Sequence, residues 1–215
     1  MSKRTSWQSM LSRPVAGQHI VQVYRHDDQL TETVSHFIAE GLRNREAVGV
    51  VATAQQWALL VGRLVMHKGF DLVDMVMRGQ LRIVDADLML STLMDNGVPQ
   101  WHRFHDKCSD FLRHSNRQHA SVRIYAGMSD MLWQERQEDA VGCMGDYWNE
   151  LAKEHRFSLL RAYKVDGVDT HLYYRALASA RKACTHLLPR HDGRPHPLTV
   201  PPGMLGGADS RSAIA

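Results

Sequence analysis

The sequence lacks the features that mark an extracellular, membrane or nucleic-acid-binding protein. Among 215 residues there are three cysteines, an odd number without CxxC spacing, which argues against a disulfide framework and for reduced thiols. No run of about 18 apolar residues occurs, and no apolar signal segment opens the chain. The net charge is only +3, and the excess of Lys and Arg near the two ends gives no polyanion-binding signature. We therefore expect a cytoplasmic protein without a nucleic-acid or membrane partner.

Common catalytic and metal-binding motifs are missing as well. The sequence contains neither GxSxG nor HExxH. Cys108 and Cys143 lie in segments of helical period without an adjacent His–carboxylate pair. His102, His105 and Cys108 follow one another at i, i+3 and i+6, so a metal ion there would need ligands from elsewhere in the chain. We expect a protein that is not an enzyme and that holds no metal ion or cofactor.

What the sequence does have is an alternation of short apolar runs with longer segments of helical period. The composition, 44% hydrophobic, suits one globular domain. The pattern predicts an α/β fold: a mainly parallel central sheet of five or more strands, flanked by helices on both faces. The predicted strands are 20–24, 47–52, 81–84, 122–126 and 159–165. The predicted helices are 29–43, 54–67, 98–115, 138–155 and 170–187, with a further helix beginning at Leu88. Residues 17–188 form the domain, and 1–16 and 189–215 are predicted to be flexible tails.

The first strand–helix–strand unit resembles that of nucleotide-binding domains but has no phosphate loop. After HIVQVY the chain reads Arg25, His26, Asp27, Asp28 and Gln29 where a Gly-rich loop and a Lys would stand. One of the two aspartates is expected to cap the following helix, and both repel a triphosphate. A nucleoside triphosphatase is therefore disfavoured.

Ligands of open α/β sheets bind beyond the carboxyl ends of the strands, where loops and helix N-termini converge. Applied here, that rule predicts a pocket lined by Tyr24, His26, Asp85, Met128 and Tyr163. The alternative is structural: Asp85 and Asp87 cap the helix at Leu88, and Gly127 serves a tight turn.

Two arginines, Arg123 and Arg161, interrupt apolar strands that helices should cover on both faces. A buried guanidinium needs an acidic partner, for which Asp85 and Glu150 are candidates, unless the arginine lies on an exposed edge. Alternatively, both arginines hold an anionic ligand and belong to the predicted pocket.

Four blocks of the sequence, in order, resemble the methanogen/methylotroph sensory (MEDS) domain family. They are HIVQVYRHDDQLTETVSHFIAEGL, RGQLRIVDADLMLSTLMDNGVPQWHRF, VRIYAGMSDMLW and YWNELAKEHRFSLLRAYKV. The resemblance implies a RecA/KaiC-like core with a degenerate phosphate loop and a role in bacterial signalling. Such domains occur alone or fused to histidine kinases and transcription regulators, and have been proposed to sense small molecules such as hydrocarbon derivatives.

The sequence departs from the family pattern at three polar positions. Relatives typically read FGEM where this chain has Gly127 in place of the acid, EELWN where it keeps one acid, Asp146, and SLLCAY where it has Arg161 in place of Cys. These exchanges make the predicted site more positive. They leave two hypotheses. In the first, the protein is a sensor that binds a small ligand at the carboxyl ends of the strands, and the exchanges have made that ligand an anionic one. In the second, the protein is a ligand-free module that regulates a kinase, a transcription regulator or a second copy of itself.

Overall fold

The computed structural model describes residues 6–14, 16–165, 175, 178 and 184–188. Its strands are β1 His19–Tyr24, β2 Ala47–Ala52, β3 Leu81–Asp85, β4 Met94–Asp95, β5 Val98–Pro99, β6 Val122–Ala126, β7 Ser158–Lys164 and β8 His186–Leu187. Its helices are α1 Ser6–Ser12, α2 Asp27–Arg43, α3 Ala54–Gly62, α4 Leu72–Met77, α5 Ala86–Leu93, α6 Trp101–Gln118, α7 Met128–Gln134 and α8 Glu138–Glu154. A π-helical turn, Arg63–His67, continues α3.

Six of the strands form one parallel sheet in the order β3-β2-β6-β7-β1-β8. Every residue of β2 and β6 is buried, as expected for strands covered on both faces. The predicted fold class, an α/β domain with a central parallel sheet between helices, is confirmed.

Successive residues of the central strands contribute to two apolar cores, one on each face of the sheet. One core, with α1, α2 and α3, includes Ile20, Val48 and Leu160. The other, with α5 to α8, includes Val21, Val51 and Leu159. None of the described helices is both long and apolar enough to cross a bilayer.

The prediction of a flexible N-terminal segment 1–16 is wrong for residues 6–12. These residues form α1, because Trp7 and Leu11, one helical turn apart, bury their side chains on the α2 side of the sheet. Trp7 also meets the ring of His36 in α2 edge to face, with 5.8 Å between the ring centroids. The predicted tail, 189–215, lies outside the described residues.

The predicted helix 98–115 begins later than its apolar period suggests. Asn96 and Gly97 both have positive φ, +48° and +78°, and close a two-residue turn between β4 and β5. This pair of backbone conformations is typical of a tight hairpin. The helix, α6, therefore starts only at Trp101, two residues after Pro99.

Two other predicted helix boundaries need correction. The predicted helix 170–187 does not reach its expected end, because His186 and Leu187 pair with Ile20 and Val21 at the sheet edge; most of its length lies outside the described residues. At the start of α2, neither aspartate is the cap. Both lie in the first helical turn, and the cap is His26, whose backbone N–H donates to the side chain of Gln29.

Candidate functional site

A crevice of about 320 Å³ lies at the carboxyl ends of the strands. We call it the strand-end crevice. Its walls come from the end of β1, the first turns of α2 and α3, α7 and the end of β7. The residues that line it are Tyr24, Asp27, Leu30, Thr31, Thr53, Gln55, Gln56, Leu59, Asp87, Met131, Gln134, Glu135 and Lys164.

Asp130, in the first turn of α7, joins three parts of the chain at this crevice. Its Oδ2 accepts hydrogen bonds from the hydroxyl of Tyr24 at 2.5 Å and from Nε2 of Gln134 at 3.1 Å. Its Oδ1 accepts the backbone N–H of Lys164 at 2.7 Å. The carboxylate is fully buried, and these donors offset the cost of removing it from water.

Burial raises the pKa of Asp130 to about 6, and the bonds from Tyr24 and Lys164 oppose this shift without cancelling it. Burial and the neighbouring Asp130 carboxylate both raise the pKa of the Tyr24 hydroxyl, so it remains a donor at neutral pH. The pair is therefore a fixed acceptor–donor unit between the end of β1 and α7.

The crevice carries more negative than positive charge. Its lining includes three carboxylates, those of Asp27, Asp87 and Glu135, and one ammonium group, that of Lys164. The Lys164 ammonium donates to Oδ1 of Asp27 at 2.8 Å, so its charge is already paired. The remaining polar groups are the hydroxyls of Tyr24 and of two threonines and three glutamine amides.

The loop after β6 brings the backbone close to this lining. A Cβ at Gly127 would lie 3.0 Å from both the Val51 carbonyl and Oε1 of Gln56, and 3.4 Å from the Tyr125 hydroxyl. Only glycine fits there without displacing a neighbour. The Tyr125 hydroxyl is buried, and among the described residues it has no hydrogen-bond partner.

Of the seven residues predicted to bind a ligand, the structure brings Tyr24 alone to the crevice wall. His26 is exposed at the start of α2. Asp85 is the N-cap of α5 and accepts from the Leu88 N–H at 2.8 Å, as the structural alternative expected. Met128 and Tyr163 are buried in the core on the α7 side of the sheet.

The two remaining predicted residues, Arg123 and Arg161, are fully buried and do not line the crevice. Arg123, near the start of β6, points to the amino-terminal ends of the strands, away from the crevice. There its guanidinium pairs with Glu46 rather than with Asp85 or Glu150. Arg161 lies within β7, on the same face as Tyr163, with Nη1 3.5 Å from that hydroxyl. The expectation of a more positive site is therefore wrong for this crevice.

The side chains considered for a metal site have other neighbours. Nε2 of His105 lies 2.9 Å from Glu154, whereas Cys108 is buried under α6. The described part of the chain contains no cluster of three metal-ligating side chains.

Sequence reasoning missed Asp130, Lys164 and Gln56. For Asp130 a signal was present: it is the one acid in GMSDMLW, an otherwise apolar segment directly after a buried strand. An acid in that position is expected to be either exposed or held by specific donors. Lys164 and Gln56 stand in segments whose pattern gives no such signal.

The fold and the crevice define a class: an α/β domain with a parallel sheet, whose strand-end loops present carboxylates and amides in place of a Gly-rich phosphate loop. The chain belongs to the MEDS family, since the model of the methanogen/methylotroph, DcmR sensory domain matches residues 18–179. Membership in a sensory-domain family indicates a signalling role. Comparison with curated proteins finds no match.

Among solved structures, the chain resembles an uncharacterized protein from Pyrococcus horikoshii, crystallised in complex with an unknown peptide. The TM-score is 0.56 at 15% sequence identity, over 85% of this chain and 83% of that one. At this identity the likeness concerns the fold alone.

Proposed function

We propose that this protein is a non-catalytic cytoplasmic signalling protein that binds a small polar molecule in the strand-end crevice and transmits binding through protein–protein contacts. The observation that carries the proposal is the crevice itself, about 320 Å³ in volume, with the anchored Asp130 carboxylate behind its wall. This volume lies within the range of small-molecule sites.

The charges of the lining favour a neutral or positively charged ligand. Three carboxylates face one lysine, and that lysine is paired with Asp27. An anion would meet uncompensated negative charge, whereas an amine, amide or polyol would find carboxylate and amide partners. This argues against the anionic ligand that the sequence alone suggested.

A change of partner affinity requires that the ligand bind two states of the protein differently. Helix α7 is the element placed to respond, because Asp130 connects it to β1 and β7 while Met131 and Gln134 face the crevice. A ligand that bonds to Gln134 competes with Asp130 for the same amide group.

The test is a thermal-unfolding screen of small amines, amides and polyols on wild type and two tryptophan variants. Gln55→Trp fills the crevice from an exposed position on α3, and Ala58→Trp places the same ring on α3 outside the crevice lining. A ligand of the crevice raises the melting temperature of wild type and Ala58→Trp but not of Gln55→Trp. If no compound stabilises wild type, or if Gln55→Trp responds equally, the proposal is wrong.

A second candidate function, a ligand-free interaction module for a kinase or transcription regulator, is favoured by one surface feature. Met66 on the π-helical turn and Val73 and Met77 on α4 are 80%, 74% and 81% exposed. Large exposed apolar side chains in neighbouring elements are typical of contact surfaces. The Pyrococcus horikoshii protein, crystallised with a peptide, offers a parallel.

The two functions are separated by a pull-down from native cells with wild type and Met77→Glu. If the protein is an interaction module, wild type should capture a signalling partner in the absence of added ligand, and Met77→Glu should not. Capture by both proteins, or by neither, argues against this surface as the contact.

A further inference from the structure

A second cavity, of about 410 Å³, opens beside the edge strand β3, between α5 and α6. We call it the lateral pocket and define it by its apolar lining: Val84, Met89, Cys108, Phe111, Ile124 and Trp148. It shares no lining residue with the strand-end crevice. The first turn of α5 lies between the two, with Asp87 facing the crevice and Met89 facing the lateral pocket.

The base of the lateral pocket is apolar and closely packed. The ring of Phe111 lies against the backbone of Gly49, where an added Cβ would come within 2.8 Å of it. Cys108 and Trp148 are buried at the base. Burial raises the pKa of the Cys108 thiol to about 12, so this side chain is neutral and acts as a small apolar group.

The rim of the lateral pocket, in contrast, carries two cations, Arg82 and Lys107. Arg82 stacks on the ring of Phe111, with 5.6 Å from the guanidinium carbon to the ring centroid. Neither Arg82 nor Lys107 forms an ion pair with any described residue. Burial raises the pKa of Cys108, and the positive charges of Arg82 and Lys107 oppose this shift without cancelling it, so both cations lie close to the thiol.

Of the two carboxylates at the rim, only Asp110 has an ionic partner within the described part of the chain. Asp85 accepts the N–H of Leu88 as the cap of α5, and Asp110 pairs with Arg113 in the next turn of α6. The pocket therefore combines an apolar interior with a rim on which two cations face Asp85, a carboxylate that has no ion pair among the described residues. This small excess of positive charge is the complement of a molecule with an apolar body and one negative group.

We propose that the lateral pocket binds a small amphipathic carboxylate, with its apolar body on Phe111 and Met89 and its carboxylate between Arg82 and Lys107. This is a second site, independent of the strand-end crevice and of the ligand proposed for it. The available volume suits an aryl or alkyl chain of about a dozen heavy atoms.

The probe is 4-phenylbutyrate, with the uncharged 4-phenylbutyramide as its matched control. Titration is followed by NMR of protein labelled at the methionine methyl groups, because Met89 lines the lateral pocket and Met131 lines the crevice. Substitution of each methionine by leucine assigns its signal. We expect phenylbutyrate to shift the Met89 signal with a dissociation constant of about 1 mM and to leave the Met131 signal in place. The amide should bind about fivefold more weakly.

Two kinds of variant test the two halves of the site. The double variant Arg82→Gln/Lys107→Gln should bind phenylbutyrate about tenfold more weakly and bind the amide as wild type does. The control Lys153→Gln, on α8 outside the lining, should leave both affinities unchanged. Val84→Phe should fill the pocket and abolish binding of both compounds. The proposal is overturned if Met89 does not respond up to about 10 mM, a tenfold excess over the expected dissociation constant. It is equally overturned if acid and amide bind alike, or if the charge variants bind phenylbutyrate as wild type does.

Discussion

The hydroxyl of Tyr24 lies 2.5 Å from Oδ2 of Asp130, across 106 positions of sequence. This one bond fixes the end of β1 to α7, and the second oxygen of Asp130 fixes the same helix to the end of β7. The strand-end crevice thus has a wall whose position depends on a buried acid. A change in the hydrogen bonding or protonation of this acid is expected to alter both the stability of the domain and the crevice.

The first prediction concerns the hydrogen bond itself. Tyr24→Phe removes the donor and leaves one oxygen of a buried carboxylate with only the amide of Gln134, so we expect a loss of about 2 kcal/mol in the free energy of unfolding. Urea denaturation at pH 7.5 measures it. As control, Tyr147→Phe removes a half-buried hydroxyl that donates to the Pro99 carbonyl at 2.7 Å, and should cost about 1 kcal/mol or less. Equal losses for the two variants would show that the charge of Asp130 is unimportant.

The second prediction is a pH dependence. The pKa of Asp130 is about 6 in the folded protein and 3.8 ordinarily, so between these pH values the folded state binds more protons than the unfolded state. Stability from this residue is fully present below pH 3.8 and is lost as pH rises through about 6. The loss is about 3 kcal/mol, at about 1.4 kcal/mol for each pH unit of the difference.

Asp130→Asn isolates this effect because it removes the titrating group and keeps its shape. The free energy of unfolding of wild type minus that of the variant should decrease by about 2.4 kcal/mol between pH 4 and pH 7. Chemical denaturation at half-unit steps of pH measures the difference. Parallel pH profiles for the two proteins would contradict the raised pKa.

Much of the fold could be predicted from sequence because the buried strands carry unambiguous patterns. AVGVVA and VRIYA are apolar enough that five strands were located to within about one residue. The short α1 and β8 could not be predicted, because their stability comes from packing on distant elements. Trp7 and Leu11 give one helical turn of pattern, and β8 is two residues long.

The candidate site was predicted less well than the fold. The rule that ligands bind at carboxyl strand ends located the crevice and Tyr24. It could not show which way each side chain points. Arg123 stands only three positions before Ala126 at the carboxyl end of its strand, yet it contacts Glu46 at the amino-terminal ends of the strands. Asp130 was missed because Met128, two positions before it, was taken as the pocket residue of this segment.

The third prediction concerns the buried pair of Arg123 and Glu46. The guanidinium donates to Glu46 and also to the carbonyls of Leu11 and Phe37, so it connects α1, α2 and the sheet. Glu46→Gln leaves a fully buried cation without its counter-charge, and should cost about 3 kcal/mol of the free energy of unfolding. Glu150→Gln, which breaks the exposed pair with Lys153, should cost less than about 1 kcal/mol.

A double-mutant cycle with Arg123→Met completes this test. Because the double variant no longer buries an unpaired charge, it should be more stable than Glu46→Gln alone. If the double variant is instead less stable by the sum of the two single losses, the two side chains do not interact.

The fourth prediction compares two helical glycines with opposite surroundings. A Cβ at Gly41 in α2 would lie 2.6 Å from Cδ of Arg123 and 2.9 Å from Cγ2 of Val48. The arginine is held by its ion pair and by backbone carbonyls, so it has no room to move aside. At Gly142 in α8, a Cβ would meet nothing within 4 Å.

Alanine is the better helix former by about 1 kcal/mol, and this gain is available at both positions. For Gly142→Ala we expect stabilisation by about 0.5–1 kcal/mol. For Gly41→Ala the clash outweighs the gain, and we expect a net loss of about 1–3 kcal/mol. Thermal and urea unfolding of the two variants measure both effects. Stabilisation by Gly41→Ala would mean that Arg123 has another position open to it, and that the buried pair is not the rigid connection between α2 and β6 described above.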